Sequence, residues 1–360
     1  MAWTSPRTWV SGETVTASLA NTHWRDNLNY LYDNRYGVGR RNAIINSHMD
    51  VWQRGTSFAL ASSTKTYTAD RWACYRAATG CTVSRQTGPT GQAYAMRVQR
   101  DSGNASTTAI TAYHALESLD SYKFAGQTAY LKLTMKAGAN FSAASSSVTV
   151  KVTYGTGTDQ SPEASWTGTT DALSTSQVIT TTSTSYDFDS ISIPSSATQV
   201  KVSVSFTPVG TASTNDWVEI SAAQLSVNPA PTYERLTYKE TLALCQRFYY
   251  QFGPFSGSRY TTTGWCYSTT TFYGVFKLPV SMRISPTVSV SATNDFSVTT
   301  SGAANNSTNV MGSHATPDQF LITCTVASGL TAGQAAVFSK DLDTTNAAIF
   351  VTAVLCPWHG

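Results

Sequence analysis

The sequence predicts a mainly β protein, in which an N-terminal extended arm and a helix precede two β-sandwich or jelly-roll domains. Segments such as Ser146 to Gly155 and Thr198 to Phe206 alternate apolar and polar residues with a period of two. Short runs rich in Val, Ile, Thr and Tyr are separated by Gly, Ser and Asn, as in sandwiches. The 360 residues are 41% hydrophobic and 12% charged, which favours a folded chain over a disordered one.

The arm and helix occupy residues 1–36. The tryptophans of this short segment would expose large apolar faces unless they pack against something else. Ala17, Trp24 and Leu31 recur every seven residues, so one helix face is apolar, and Thr16 or Ser18 is placed to cap the helix. The segment either folds back onto its own domain, or it docks on a partner or on copies of itself. The residues predicted to carry attachment or oligomerisation are Trp3, Trp9, Ala17, Trp24, Arg25, Leu28 and Leu31.

Two stretches of this segment carry a resemblance. Residues 9–16 read WVSGETVT and residues 21–28 read NTHWRDNL. Both resemble the N-terminal module of tailed-bacteriophage structural proteins. The resemblance implies a virion appendage, such as a tail fibre, a head fibre or a related receptor-binding protein, that joins other virion proteins through this arm.

Residues 42–228 are predicted to form the first β-domain. In the segment SSVTVKVTYG, Val148, Val150 and Val152 would face the core. Residues 42–58 (NAIINSHMDVWQRGTSF) and 67–75 (YTADRWACY) resemble the opening of jelly-roll modules of phage fibre proteins. Those modules are similar to carbohydrate-binding modules, so the resemblance implies a glycan as ligand. The residues of this structural motif are Trp52, Gln53, Arg54, Asp70, Arg71 and Trp72.

Within this motif, core and turn roles are favoured over ligand contacts. Trp52 and Trp72 lie in strand-like segments, where a tryptophan is more often core than a sugar platform. Asp70 and Arg71 are predicted to form structural hydrogen bonds or an ion pair in a turn. An aromatic ring that stacks on a sugar must be exposed, and Trp166 lies in a segment rich in turn formers. The candidates for a glycan or subunit contact are Trp166, Tyr249 and Tyr260.

Residues 229–360 are predicted to form a C-terminal β-sandwich domain. Two prolines within residues 228–231 interrupt the strand pattern, and LTYKETLALCQRF then holds good helix formers. Residues 272–292 (FYGVFKLPVSMRISPTVSVSA) resemble the C-terminal β-domain of phage fibre proteins. Pro279 and Pro286 confine this segment to a sheet edge or a bend, because proline cannot donate to a β-ladder. Aromatic residues on both strand faces of residues 247–276 require contact with another layer, subunit or ligand.

The sequence shows no catalytic, metal or cofactor signature. Zincin, nucleophile-elbow, Walker and Rossmann motifs are missing, and the five histidines lie scattered. We therefore expect no enzymatic activity, no metal and no cofactor. A glycan depolymerase is the strongest enzymatic alternative, for which Glu117 with Asp120 or Asp216 with Glu219 would supply paired carboxylates.

The six cysteines have no C-x-x-C spacing. Cys245, Cys324 and Cys356 lie in apolar runs and are predicted to be core residues. We expect six free thiols, with a bridge between Cys74 and Cys81 as the alternative.

The resemblance to phage structural proteins implies a structural protein of the virion, made in the bacterial cytoplasm and exposed on the particle surface. We expect a homotrimer that presents its β-domains to host-surface glycans, or alternatively a head or collar fibre without a receptor role. The net charge of +3 gives no reason to propose a nucleic-acid partner. The longest apolar stretch, residues 347–358, is predicted to be a buried final strand rather than a membrane span, so no membrane insertion is expected.

Overall fold

A computed structural model describes residues 4–5, 7–28, 41–161, 166–227, 233–253, 260–301, 303–340 and 347–353. The protein is mainly β, as the sequence predicts, with antiparallel sheets and few helices among these residues. An arm with a helix comes first, then a two-sheet sandwich, and then a barrel with a small sheet.

The arm is extended up to Thr16 and then turns into a helix. Helix α1 (Ala17–Ala20) continues as a π-helix over Asn21–Asp26. Thr16 caps it, since its Oγ1 accepts a hydrogen bond from the Leu19 amide at 3.3 Å. The predicted helix and its predicted cap are therefore present, although the second part of the helix is wound more loosely than an α-helix.

Twelve antiparallel strands form the sandwich. They are β1 (Ser57–Ala59), β2 (Thr66–Tyr67), β3 (Trp72–Arg76), β4 (Cys81–Thr87), β5 (Tyr94–Arg100), β6 (Ile110–Ala115), β7 (Thr128–Ala137), β8 (Ser147–Gly155), β9 (Thr170–Val178), β10 (Thr184–Ser192), β11 (Gln199–Phe206) and β12 (Trp217–Ser226). One sheet has the order β1-β4-β5-β12-β7-β10, and the other has the order β2-β3-β6-β11-β8-β9. The short helix α2 (Ser118–Ser121) follows β6.

The core between the two sheets follows from the period-two pattern. Val148, Val150 and Val152 of β8 are fully buried, as predicted. Val150 lies opposite Val204 and Val152 opposite Val202 on the neighbouring strand β11, so apolar side chains meet in register across the ladder. This core is continuous through the whole sandwich.

A second helix leads into the C-terminal part. Helix α3 (Tyr238–Gln246) begins at a capping box, in which the Thr237 side chain accepts from the Glu240 amide and the Glu240 carboxylate accepts from the Thr237 amide. The predicted helix in this segment is confirmed. Cys245 near its end is buried against the sandwich residues Ile45, Val51 and Trp166, so the helix packs onto the first domain.

Nine further strands form the C-terminal part. They are β13 (Tyr249–Phe252), β14 (Tyr260–Cys266), β15 (Thr271–Lys277), β16 (Thr287–Val290), β17 (Phe296–Thr300), β18 (Ala303–Thr316), β19 (Gln319–Val326), β20 (Ala335–Lys340) and β21 (Ile349–Thr352). Six of them close a barrel in the order β14-β15-β19-β18-β17-β20, and β13, β21 and β16 form a three-stranded sheet. Pro279 and Pro286 lie in the bend between β15 and β16, as expected.

Barrel closure is the difference from the predicted sandwich. Strand β14 pairs with β15 on one side and with β20 on the other, with Gly264 opposite both Gly274 and Ala336. The small sheet then packs against β18, where a Cβ on Gly312 would lie 2.3 Å from the Val288 Cβ. Alternation within single strands does not distinguish a barrel from a sandwich, because both bury one face of every strand.

The cysteines that the structure describes are free and buried. They are Cys74, Cys81, Cys245, Cys266 and Cys324. The prediction of free thiols is confirmed for these five, and the alternative of a bridge between Cys74 and Cys81 is wrong. Cys356 lies outside the described residues.

Candidate functional site

The outer face of the barrel carries exposed aromatic side chains. Along β14, Gly264 and Cys266 face the interior, so Trp265 between them faces outward and is 45% exposed. Tyr267 directly after the strand is 63% exposed and Tyr260 at its start is 76% exposed. We call these three residues, together with Tyr273 on β15, the aromatic surface.

A β-bulge keeps Tyr260 on this outer face. Strict alternation along β14 would turn Tyr260 toward the barrel interior, on the same side as Thr262. The pairing register with β20 shifts between Tyr260 and Thr262, which leaves Thr261 as an extra residue. The Thr261 hydroxyl donates to the Phe338 carbonyl at 2.7 Å and so holds the bulge.

The rings of the aromatic surface contact one another. Trp265 lies opposite Tyr273 in the β14–β15 ladder, and the two rings meet nearly edge-on, with centroids 5.8 Å apart. Tyr267 stacks on Tyr273 with centroids 5.0 Å apart and an interplanar angle of 28°. Aromatic pairs in such geometries stabilise each other, so the rings are held in place before any ligand arrives.

Uncharged side chains extend this surface across the barrel. Tyr273 lies opposite Thr323 on β19, and Thr323 lies opposite Met311 on β18, whose side chain is 53% exposed. Val275 on β15 is 42% exposed beside them. A contiguous apolar face of this kind, interrupted by hydroxyl groups, is typical of a contact surface.

The interior of the barrel fixes the strands that carry the aromatic surface. Phe272 and Phe338 are fully buried and stack with centroids 6.1 Å apart. Gly264 and Gly274 face each other at this level, and a Cβ on Gly264 would lie 1.9 Å from the Tyr273 carbonyl oxygen. The missing side chains therefore make room for the phenylalanine rings and for the close approach of the two strands.

The chemistry of the aromatic surface is that of stacking. Exposed Trp and Tyr rings offer flat apolar faces together with an indole N–H or phenolic O–H as hydrogen-bond donor. A sugar ring presents a matching combination of apolar C–H faces and hydroxyl groups. Because the surface contains no charged residue, attraction to a ligand here does not depend on ion pairing.

Trp166 is buried, whereas a ring that stacks on a sugar must be exposed. Its side chain is only 4% exposed, and its Nε1 donates to the carbonyls of Gln160 and Ser161. Lys201 Nζ lies 4.8 Å from the ring centroid. The expectation of an exposed contact residue is wrong for Trp166, because the ring packs in a buried cluster with Ile45, Val51 and Cys245.

Tyr249 is also buried, at the junction between the sandwich and the C-terminal part. The guanidinium carbon of Arg54 lies 3.6 Å from the Tyr249 ring centroid, and Gln53 Nε2 donates to the Tyr249 carbonyl at 2.9 Å. Tyr249 is thus a contact between two parts of one chain rather than an exposed ligand contact. Of the three predicted contact residues, only Tyr260 is exposed.

The structural motif forms the sandwich side of this junction. Asp70 Oδ1 accepts a hydrogen bond from the backbone amide of Gln53 at 3.0 Å. Arg54 Nη1 lies 3.8 Å from the same oxygen. Burial raises the pKa of Asp70 above its usual value, against the opposing effect of Arg54. The prediction of structural hydrogen bonds at Asp70 is confirmed, and they orient the two side chains that hold Tyr249.

Arg71 extends the same junction toward Phe248. Its backbone has φ +70°, which is uncommon for a residue with a side chain. Its Nη2 donates to the Ala115 carbonyl at 2.6 Å, and its guanidinium carbon lies 3.6 Å from the Phe248 ring centroid. The side chain therefore binds the C-terminal part through a cation–π contact.

The two tryptophans of the structural motif are core residues, as the sequence predicts. Trp72 is fully buried, with its ring edge-on to His114 at 5.5 Å. Trp52 is 9% exposed, and its ring stacks on that of Phe58 with centroids 6.4 Å apart. Its Nε1 donates to the Met49 carbonyl at 2.6 Å.

The arm folds onto its own helix in the described residues 4–5 and 7–28. Asn27 is buried and exchanges two hydrogen bonds with the Thr4 backbone, at 3.0 and 2.9 Å. Trp9 packs against Trp24, with ring centroids 6.1 Å apart. Trp24 nevertheless remains 54% exposed and Leu28 64% exposed.

Other predicted attachment residues of the arm are distributed as follows. Ala17 is exposed on the same helix, and Arg25 forms an exposed ion pair with Asp26 at 2.8 Å. Trp3 and Leu31 lie outside the described residues. The described part of the arm thus leaves the apolar positions Ala17, Trp24 and Leu28 open on the helix.

Three of the four candidate catalytic carboxylates form ion pairs with arginines. Glu117 contacts Arg247 and Arg283, and Asp216 forms a fully buried ion pair with Arg100 at 2.9 Å. Glu219 accepts from Arg97 at 2.7 Å. Among the residues that the structure describes, there is no group of three or more His, Cys, Asp or Glu that could hold a metal ion.

Within the described ranges, no helix combines the length and apolarity that crossing a membrane requires.

Comparison with known proteins finds similarity in solved structures only. No protein-family model matches the sequence, and no curated protein matches it. A family 4 carbohydrate-binding module shares 15% identity, over 51% of this chain and 98% of the module, with a TM-score of 0.32. The module TmCBM61, solved with β-1,4-galactotriose, shares 12% identity over 52% of this chain and 100% of its own, with a TM-score of 0.32.

A two-module structure is similar over more of the chain. The N-terminal tandem of two family 22 modules from Paenibacillus barcinonensis Xyn10C shares 8% identity over 82% of this chain and 96% of its own, with a TM-score of 0.27. Each of these is a distant structural similarity to carbohydrate-binding modules.

Proposed function

We propose that this protein is a non-enzymatic appendage of a tailed-bacteriophage virion that binds host-surface glycans through the aromatic surface of its barrel. The observation that carries the glycan part is the exposure of Tyr260 and Trp265 on strand β14 and of Tyr267 directly after it. Large aromatic rings are costly to leave in water, and the Gly264–Gly274 pairing and the Phe272 packing fix where they point. The rings are therefore held in place for a partner, and a sugar ring matches their chemistry.

The particle-binding part of the proposal is supported by the arm. Its two stretches resemble the attachment module of phage structural proteins, and the helix exposes Ala17, Trp24 and Leu28. In the sequence these residues are spaced by seven and four, as in helices that bundle with copies of themselves. A trimer joined at the arm would leave the barrels exposed on the virion surface.

Several copies would compensate for weak individual sites. Stacking on exposed rings gives modest affinity, and linking sites raises overall avidity about 10²–10⁴-fold when the geometry allows simultaneous binding. Multivalent attachment therefore fits a surface of a few uncharged side chains without a deep pocket.

The test is replacement of the exposed rings. We expect Trp265→Ala and Tyr267→Ala each to reduce binding of the purified full-length protein to host cells at least about tenfold. The lost ring contact with Tyr273 should lower the thermal unfolding midpoint by only about 2–4 °C. Tyr122→Ala is the matched control, because Tyr122 is 52% exposed on the sandwich and outside the aromatic surface. A panel of purified host-surface glycans, with the same three variants, identifies the sugar.

A different result would favour the alternative role as a head or collar fibre. If both ring variants bind cells like the parent protein, the glycan part of the proposal is wrong. If they instead fail to join particles, the aromatic surface contacts another virion protein. Electron cryomicroscopy of the particle locates the chain and counts its copies.

A further inference from the structure

A cleft lies between the sandwich and the segment that leads into helix α3. Its volume is about 660 Å³, and it shares no residue with the aromatic surface. Arg85 of β4 and Tyr94 of β5 form one wall, and Arg235 and Tyr238 form another, with Asp50 beside them. Such a volume accommodates a short oligosaccharide or a ligand of similar size.

Arg85 presents its donors to this cleft. Its guanidinium carbon lies 4.4 Å from the Tyr94 ring centroid, so the ring supports the flat side chain. Among the described residues, no carboxylate lies within ion-pair distance of Arg85. Arg97 and Arg283, in contrast, each form an ion pair with a glutamate. A guanidinium in this state can bind a carboxylate with two parallel hydrogen bonds.

The other charged residues of the cleft, Arg235 and Asp50, already have partners within the protein. Arg235 lies 3.6 Å from Asp50 Oδ2, and its Nη1 donates to the Gly91 carbonyl at 2.9 Å. The two arginines therefore face one carboxylate within the cleft. Glu240, in the first turn of the nearby helix, caps Thr237 by accepting from its amide and hydroxyl. The cleft keeps an excess of positive charge at Arg85.

An exposed ring completes the arrangement. Tyr238, the first residue of α3, is 59% exposed and borders the cleft. Its flat face can receive a sugar ring while Arg85 receives a charged substituent. We propose that this cleft binds an acidic saccharide, with its carboxylate on Arg85 and its ring on Tyr238. This is a site separate from the uncharged aromatic surface.

The experiment uses the full-length protein and two matched probes. Tetragalacturonic acid carries carboxylates, and its methyl ester has nearly the same shape without the charges. By isothermal titration calorimetry we expect the acid to bind at least about tenfold more tightly than the ester, because hydrogen bonds to charged groups are the stronger ones. Arg85→Gln and Tyr238→Ala should each weaken binding of the acid about tenfold or more. Lys277→Gln, which removes an exposed charge from the barrel, should not.

Further variants separate this site from the others. Arg85→Lys keeps the charge but loses the planar fork, so it should give an intermediate affinity. Trp265→Ala should bind the acid like the parent protein, so failure here and failure of the proposed function are distinguishable.

Three results would overturn the proposal. They are equal affinity for acid and ester, no binding of the acid by the parent protein, and inorganic phosphate binding as tightly as the acid with the same dependence on Arg85. The last of these would show a simple anion site instead of a saccharide site.

Discussion

Arg283 and Glu117 form an ion pair across the junction of the sandwich and the C-terminal part, with Arg283 Nε 3.0 Å from Glu117 Oε1. Both side chains are about one-tenth exposed. Arg283 also binds Asp159, which is itself tied to Ser118 by two hydrogen bonds. One side chain of the C-terminal part therefore joins two separate loops of the sandwich.

The first prediction concerns this ion pair. In a double-mutant cycle with Glu117→Gln and Arg283→Met, we expect each single variant to lower the free energy of unfolding by about 1–3 kcal/mol. Each removes one charged partner, while Arg247 remains on Glu117 and Asp159 remains on Arg283. The coupling energy should exceed about 1 kcal/mol. Denaturant unfolding measures both quantities.

A surface pair provides the control for that cycle. Lys151 and Asp171 lie 2.7 Å apart, but their side chains are 38% and 31% exposed. Their coupling energy should stay below about 1 kcal/mol. Equal coupling in the two pairs would contradict the structural role of Arg283.

Local features of the fold could be predicted from the sequence. Val148, Val150 and Val152 are buried because a strand with one buried face must alternate. Helix α3 begins directly after Thr237, because Thr and Glu three residues apart satisfy the first amides of a helix. These features depend on neighbours within a few residues, which the sequence contains directly.

Features that depend on distant pairing could not be predicted. Closure of the barrel needs Gly264 to meet Ala336, far along the chain. The turn-forming neighbours of Trp166 predict an exposed ring, yet the ring is buried against residues that are distant in the sequence, such as Ile45 and Cys245. The sequence does not single out Trp265 and Tyr267 as ligand residues, because alternation does not say which face of a strand remains in solvent. The one feature of the sequence around β14 that indicates a contact surface is its high density of aromatic residues.

The second prediction concerns the glycine pair in the barrel. Gly264→Ala should lower the free energy of unfolding by at least about 2 kcal/mol, since the new Cβ would lie 1.9 Å from the Tyr273 carbonyl oxygen. Thr263→Ala, on the outer side of the same strand, should change it by less than about 1 kcal/mol. Thermal and denaturant unfolding of both variants decide this, and similar losses would argue against the close approach of β14 and β15.

The third prediction concerns pH. Burial, and then the charge of Arg235, lower the pKa of His48 from its ordinary value of 6.5 to about 4. Between these values the unfolded chain binds a proton that the folded protein does not, so the free energy of unfolding should fall as the pH falls from 6.5 to 4. The loss of unfolding free energy that His48 causes over this pH range is about 3 kcal/mol.

His48→Gln isolates this contribution to stability. Its free energy of unfolding should fall less steeply over the same pH range, while the carboxylates contribute equally to both proteins and cancel in the difference. Parallel curves for the parent and the variant would show that His48 titrates normally in the folded state.

The fourth prediction concerns Trp166. Trp166→Ala should lower the free energy of unfolding by about 3–5 kcal/mol, because it removes a buried ring and leaves the carbonyls of Gln160 and Ser161 without its N–H donor. Glycan binding by the protein that remains folded should be unchanged. Loss of binding at full stability would reinstate Trp166 as a ligand contact.

The last prediction concerns attachment to the particle. Deletion of residues 1–36 should leave folded β-domains, because the sandwich and the barrel each have a core of their own within residues 43–353. The truncated chain should no longer join particles or form trimers, since it lacks the apolar helix face with Trp24 and Leu28. Trp24→Ala in the full chain is the finer variant, with Tyr122→Ala as the exposed aromatic control. Analytical ultracentrifugation and particle composition measure the two effects, and normal incorporation of the truncated chain would rule out the arm as the anchor.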